Sequence, residues 1–167
     1  MRDLAPSRLM APIALAVAAV LAIAPAARAQ SASKSDQDVE LGVWKVDLAK
    51  SRYYPGPPPI SETRTFTRDK DGVKGIVVRR NANGTEERIE YRADFDMEYP
   101  VSGTDAYDAV KFRRIDAYTS DAVLSHAGRV FGTARRVISQ DGRTMTITFR
   151  QEDPSLVKNV VVYSKQP

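Results

Sequence analysis

The 167-residue sequence contains no cysteine and only one histidine. The lack of cysteine excludes disulfide bridges, and it also removes the thiolates that many zinc sites and hydrolases use. His126 falls between two strand-like runs, and we interpret it as an exposed turn residue because a metal site needs several convergent ligands. We therefore predict no metal site, no cofactor and no Ser-His or Cys-His catalytic pair.

Long hydrophobic runs are missing too, except at the amino terminus. Arg2 and Arg8 precede an apolar stretch at residues 11–26, and residues 27–29 read Ala-Arg-Ala, the pattern that signal peptidase requires. We expect residues 1–29 to be a cleavable signal peptide, with an uncleaved amino-terminal anchor as the alternative. After cleavage no membrane span is expected, and the protein is predicted to be periplasmic or secreted.

The rest of the chain divides into a short leader and one domain. Residues 30–38 are small and polar without periodicity, which predicts a flexible leader. Residues 39–167 are long enough for one domain with its own core. This domain must hold together by burial alone, because it has no cysteine.

An excess of charge of one sign is also lacking. The sequence has 25 Lys and Arg against 21 Asp and Glu. Removing residues 1–29 takes away three arginines and one aspartate, which leaves 22 basic and 20 acidic residues. Basic and acidic side chains alternate, as in residues 68–71 and 86–90. Because a nucleic-acid surface needs clustered, unopposed positive charge, we predict no nucleic-acid binding.

What the sequence does contain is a series of short alternating runs separated by glycine turns. In residues 85–95, for example, Ile89, Tyr91 and Ala93 share one face and charged residues occupy the other. Residues 49–59 carry three consecutive prolines and are predicted to be a loop. Strands are predicted at 41–47, 60–68, 73–80, 85–95, 99–103, 107–115, 118–125, 129–139, 144–151 and 156–165.

This pattern predicts an all-β fold. Local hairpins dominate, and the connections that would cross between sheets are scarce, so we favour a single antiparallel up-and-down barrel of about 8–10 strands. The alternative is a two-sheet β-sandwich. A barrel of this size has room inside for side chains or for one small ligand.

Several short motifs carry a resemblance to known proteins. Gly42-Val43-Trp44 resembles the opening of lipocalin-like, calycin-type barrels, in which the glycine lets the chain cross the barrel mouth and the tryptophan plugs the closed end of the barrel. Other similar segments are Ala49-Lys50-Ser51, Pro55-Gly56-Pro57, Tyr99-Pro100-Val101-Ser102-Gly103, Arg114-Ile115-Asp116 and the run from 139 to 146. Together they resemble a family of small exported bacterial proteins of uncharacterised function, over most of residues 41–165.

The resemblance implies a lipocalin-like domain and an exported location, and it supplies no reaction and no ligand. It also implies a basic residue that packs over Trp44, for which Lys165 and Arg150 are candidates. The sequence departs from lipocalins in lacking a cysteine pair and a carboxyl-terminal helix. It departs from fatty-acid-binding barrels in having the loop at 53–59 where those have two helices.

Adjacent arginines are the feature most suggestive of a ligand: Arg79-Arg80, Arg113-Arg114 and Arg135-Arg136. Because neighbouring strand residues face opposite ways, one arginine of each pair should point inwards. A buried arginine needs a carboxylate or an anionic ligand; the alternative is that these arginines lie near strand ends and reach water. As candidate ligand-binding residues we take Trp44, Tyr91, Arg114 and Arg136.

Three functions remain open from the sequence. The leading one is binding of a small amphiphilic ligand, partly apolar or anionic, inside the barrel. The second is a protein with a filled interior that binds an envelope protein partner through a rim containing Tyr53, Tyr54 and residues 57–59. An enzyme comes third, because general acid–base groups are present but show no organised pattern.

Overall fold

The computed structural model describes residues 39–70, 72–151 and 157–167. The predicted signal peptide at 1–29 and leader at 30–38 lie outside these ranges. The strands are β1 (Gly42–Tyr53), β2 (Ser61–Asp69), β3 (Gly72–Arg80), β4 (Glu86–Arg92), β5 (Glu98–Ser102), β6 (Ala109–Arg114), β7 (Thr119–His126), β8 (Arg129–Ile138), β9 (Thr144–Gln151) and β10 (Val157–Lys165).

The ten strands form one closed antiparallel barrel. Each strand pairs with the next along the chain, and β1 pairs with β10 to close the sheet. The prediction of an all-β, up-and-down barrel is therefore confirmed, at the upper end of the expected strand number, and the two-sheet sandwich is excluded. Within the described ranges, no helix has the length and apolar character that crossing a membrane requires.

The first strand is longer than the sequence predicts. Residues 49–53, expected to belong to the loop, continue β1, and its pairing with β10 shifts register between Asp47 and Arg52. The Ser51 hydroxyl explains how: it donates to the Asp47 carbonyl (2.7 Å) and accepts from the Val162 amide (2.9 Å). A side chain thus replaces ladder bonds at the bulge, and the loop begins only at Tyr54.

The two ends of the barrel differ. The loops at 54–60, 81–85 and 103–108 lie at one end, which we call the mouth. The opposite, closed end carries residues 39–41 and the turns at 115–118 and 139–143. There Trp44, Met145 and Tyr163 are completely buried, so side chains fill the closed end.

Candidate ligand cavity

The barrel encloses a cavity of about 650 Å³, which extends from the interior to the loops of the mouth. This volume is in the range of pockets that hold drug-sized ligands, about 300–1,000 Å³. Every strand except β5 contributes inward-facing side chains to its lining. The interior is therefore hollow, and its wall has an apolar part and a charged part.

The apolar part is built from aromatic rings. Tyr91 stacks on Phe112 with 5.7 Å between ring centroids, Tyr107 stacks on Phe131 at 6.1 Å, and Phe131 meets Phe149 at 6.0 Å. The glycine at position 75 is needed opposite Tyr91, because a Cβ there would lie 2.5 Å from the ring. These rings offer flat, apolar faces to a ligand.

The charged part is a buried cluster centred on Glu62. The Glu62 side chain accepts from Arg64 Nε (2.9 Å) and from the Tyr163 hydroxyl (2.5 Å) at Oε1, and from Arg79 Nε (2.7 Å) at Oε2. Arg64 Nε also lies 2.9 Å from the Tyr163 hydroxyl. Glu62 is only 2% exposed. We call Glu62, Arg64, Arg79 and Tyr163 the Glu62 cluster; all four line the cavity.

The local sequence explains why these side chains meet. On β2, Glu62, Arg64 and Phe66 occupy the inner face, and serine and threonine occupy the outer one. The sheet register places Arg79 of β3 directly opposite Glu62, a distance at which cross-strand side chains interact. Tyr163 reaches the cluster from β10 because closure of the barrel brings β10 beside β1.

The electrostatics of the cluster keep Glu62 ionised. Burial acts to raise its pKa, but Arg64 and Arg79 outweigh burial and lower the pKa to about 2. Burial, with a further contribution from Glu62, raises the pKa of Tyr163 well above that of free tyrosine, so the phenol stays protonated and donates. Two guanidinium groups against one carboxylate give the cluster a net charge of +1.

This pKa shift predicts a loss of stability in acid. Because the pKa of Glu62 falls from 4.5 to about 2 on folding, its contribution is full above pH 4.5 and is lost as the pH falls towards 2. The shift corresponds to on the order of 3 kcal/mol. Urea unfolding between pH 6 and pH 3 measures the free energy of unfolding of wild type and of Glu62→Gln. We expect the difference between the two free energies to become smaller as the pH falls. A free-energy difference that does not change with pH would contradict the lowered pKa of Glu62.

Tyr53 adds a further polar group to the same cavity. Its hydroxyl is buried near the Ser51 side chain, but it makes no hydrogen bond of acceptable geometry among the described residues. Burial, and next the negative charge of Glu62, raise the pKa of Tyr53 to about 12. An unpaired buried hydroxyl is costly, so this donor is available to a bound molecule.

A second buried ion pair lies at the closed end. Arg136 forms a salt bridge with Glu40 and donates from Nε to the Ser120 hydroxyl (3.1 Å). The backbone carbonyl of Glu40 accepts from Trp44 Nε1 (2.8 Å). Lys165 Nζ lies 5.1 Å from the centroid of the Trp44 rings. Of the two candidates for the basic residue over Trp44, Lys165 occupies that position.

Two of the four candidate ligand-binding residues line the cavity, and two lie outside its lining. Tyr91 and Arg136 line the cavity. Trp44 lies fully buried at the closed end, outside that lining. Arg114 is at the end of β6, where its guanidinium carbon is 4.2 Å from the centroid of Phe95; it also lies outside the lining. A direct role of Trp44 and Arg114 in binding remains a prediction.

Two of the three arginine pairs each contribute one residue to the cavity lining. Arg79 and Arg136 lie inside the barrel, and Arg135 pairs on the outside with Asp121 at 2.7 Å. Glu62, Arg64 and Tyr163 are site residues that the sequence patterns did not predict. Alternation along β2 could have indicated the first two, because Glu62 and Arg64 share a face with Phe66, the one large apolar side chain of that strand.

Fold and site together define a hollow, closed ten-strand antiparallel barrel with a positively charged cluster inside. No family model, no curated protein and no solved structure matches the chain. In the described ranges, no three His, Asp or Glu side chains are grouped so as to hold a metal ion.

Proposed function

We propose that the protein is an exported, lipocalin-like binding protein whose barrel takes one small ligand with an anionic group and an apolar body. The observation that carries the proposal is the cavity of about 650 Å³, which combines aromatic rings with the Glu62 cluster. The apolar body would lie against Tyr91, Phe112 and Phe131, and the anionic group would meet Arg64 and Arg79. The predicted signal peptide at 1–29 supports a periplasmic or secreted location.

The geometry favours one polar end and one apolar end in the ligand. Arg64 and Arg79 approach Glu62 through Nε, and a guanidinium has four further N–H donors. Their side chains are 18% and 33% exposed, whereas that of Glu62 is 1% exposed. Glu62 therefore lies behind the arginines, and the arginines present positive charge to the cavity.

A matched pair of substitutions on β7 tests whether binding takes place inside. Ala122 lines the cavity and its neighbour Val123 faces outwards. We expect Ala122→Phe to fill part of the cavity and to weaken binding of 2-naphthoate at least tenfold, and Val123→Phe to leave it unchanged. Isothermal titration calorimetry measures both, with one molecule bound per wild-type chain.

Circular dichroism and thermal unfolding establish that both variants remain folded. Equal weakening by the two substitutions, or binding by Ala122→Phe as tight as by wild type, would contradict an interior site. If 2-naphthoate did not bind to the wild-type chain at all, the proposed function would fail.

A second candidate function uses the mouth rather than the interior. Tyr54 is 67% exposed, and the neighbouring prolines form a rim beside it. Such a rim could contact an envelope protein partner, since exposed tyrosines are favoured at interfaces. Cross-linking in whole cells, with Tyr54→Ser as the control, distinguishes this function: a partner lost in the variant supports it, and its persistence contradicts it.

A further inference from the structure

Tyr53, Arg64 and Arg79 all face the cavity beside one buried carboxylate. The Tyr53 hydroxyl has no partner in the described part of the chain. Its neighbour on the same strand, Ser51, uses its own hydroxyl to donate to Asp47 and to accept from Val162. The arrangement thus holds one neutral donor and two cationic donors, while both oxygens of Glu62 are already occupied.

The net charge of the Glu62 cluster follows from the ion pairs of its side chains. Arg64 and Arg79 against Glu62 leave +1. The other ion pair at the cavity, Arg136 with Glu40, is neutral. Glu87 comes within 3.7 Å of Arg79, but its side chain is 35% exposed and lies outside the lining, where water screens it.

Resting on the proposed function, we propose that the anionic group of the ligand is a single carboxylate, bound by Arg64, Arg79 and the Tyr53 hydroxyl, with Glu62 positioning the arginines. One negative charge balances the net +1 of the cluster. A dianionic group such as a phosphate monoester would leave one charge uncompensated in a largely buried site, which is unfavourable. The site therefore selects monocarboxylates.

Three probes with the same ring test this selectivity. 2-Naphthoate carries one negative charge, 2-naphthyl phosphate carries nearly two at pH 8, and naphthalene carries none. We expect the wild-type chain to bind 2-naphthoate at least tenfold more tightly than either of the others. Equal affinity for all three would overturn the carboxylate site and the need for an anionic group, but it would leave binding inside the barrel standing; no binding of any probe would overturn both proposals.

The role of Tyr53 has a matched control in Tyr118, at the closed end of the barrel. Tyr53→Phe should weaken 2-naphthoate binding about tenfold, since a hydrogen bond to a charged group is lost, and should not change naphthalene binding. Tyr118→Phe changes a tyrosine that is 36% exposed and lies outside the cavity lining, and it should change neither. Unchanged 2-naphthoate binding by Tyr53→Phe would overturn the assignment of Tyr53.

The role of Glu62 is tested by the preference of the chain for 2-naphthoate over 2-naphthyl phosphate. Glu62→Gln raises the charge of the cluster to +2, so the preference for 2-naphthoate over 2-naphthyl phosphate should fall about tenfold. Because this variant is expected to be less stable, both affinities are measured at low temperature on protein shown to be folded by circular dichroism. An unchanged preference would contradict the charge count.

Discussion

Replacing Glu62 with glutamine is expected to lower the free energy of unfolding at pH 7 by about 3–5 kcal/mol, the range found when one partner of a buried ion pair is removed. The carboxylate is 2% exposed and compensates two arginines on the inner wall. Without it, Arg64 and Arg79 lie close together with no carboxylate between them. Urea unfolding followed by circular dichroism measures the loss.

Glu90→Gln is the matched control. Glu90 also contacts two cations, Lys74 at 2.7 Å and Arg88 at 2.9 Å, but all three side chains are at least 32% exposed. Its removal should change the free energy of unfolding by less than about 1 kcal/mol. In the double variant Glu62→Gln/Arg79→Gln, part of the loss should be recovered, because one of the uncompensated charges is gone. Equal effects of Glu62→Gln and Glu90→Gln would contradict the burial of this cluster.

Replacing Trp44 with alanine is expected to have an effect of similar size, about 3–5 kcal/mol, typical of deleting a large buried aromatic side chain. Trp44 is 0% exposed, and its indole nitrogen donates to the Glu40 carbonyl. The substitution opens a void at the closed end, and it removes the surface on which Lys165 lies.

Val43→Ala provides the comparison, because Val43 is the next residue on the same strand and faces outwards, 38% exposed. Its effect on the free energy of unfolding should stay below about 1 kcal/mol. A loss on Trp44→Ala no greater than that on Val43→Ala would show that Trp44 does not close the barrel.

The strand pattern was predictable because alternation and glycine turns are local properties of the sequence. The sequence predicts that the proline loop begins at residue 49, whereas β1 continues to Tyr53. Local sequence could not show this, because the bulge near residue 50 depends on a hydrogen bond between Ser51 and Val162, which are 111 residues apart. The Arg135-Arg136 pair could be divided into an outer and an inner residue by alternation alone. For Arg114, alternation did not reveal that the strand ends there and that its side chain covers Phe95.

The Glu62 cluster illustrates what alternation cannot supply. It can assign Glu62 and Arg64 to one face, but it does not say which charges meet across strands. That depends on register, because a slip of one residue between β2 and β3 would move Arg79 to the other face. It also depends on closure of the barrel, which brings Tyr163 to Glu62 from 101 residues away.

The proposal that the hollow barrel holds the anionic group of a small, partly apolar ligand on the Glu62 cluster has a direct test. A crystal structure of the chain with 6-bromo-2-naphthoate, with bromine located by anomalous scattering, tests it most directly. We predict one bromine inside the barrel near Phe112, Phe131 and Phe149, and the carboxylate at Arg64 and Arg79. Bromine found only on the outer surface, or side chains filling the interior, would contradict the account.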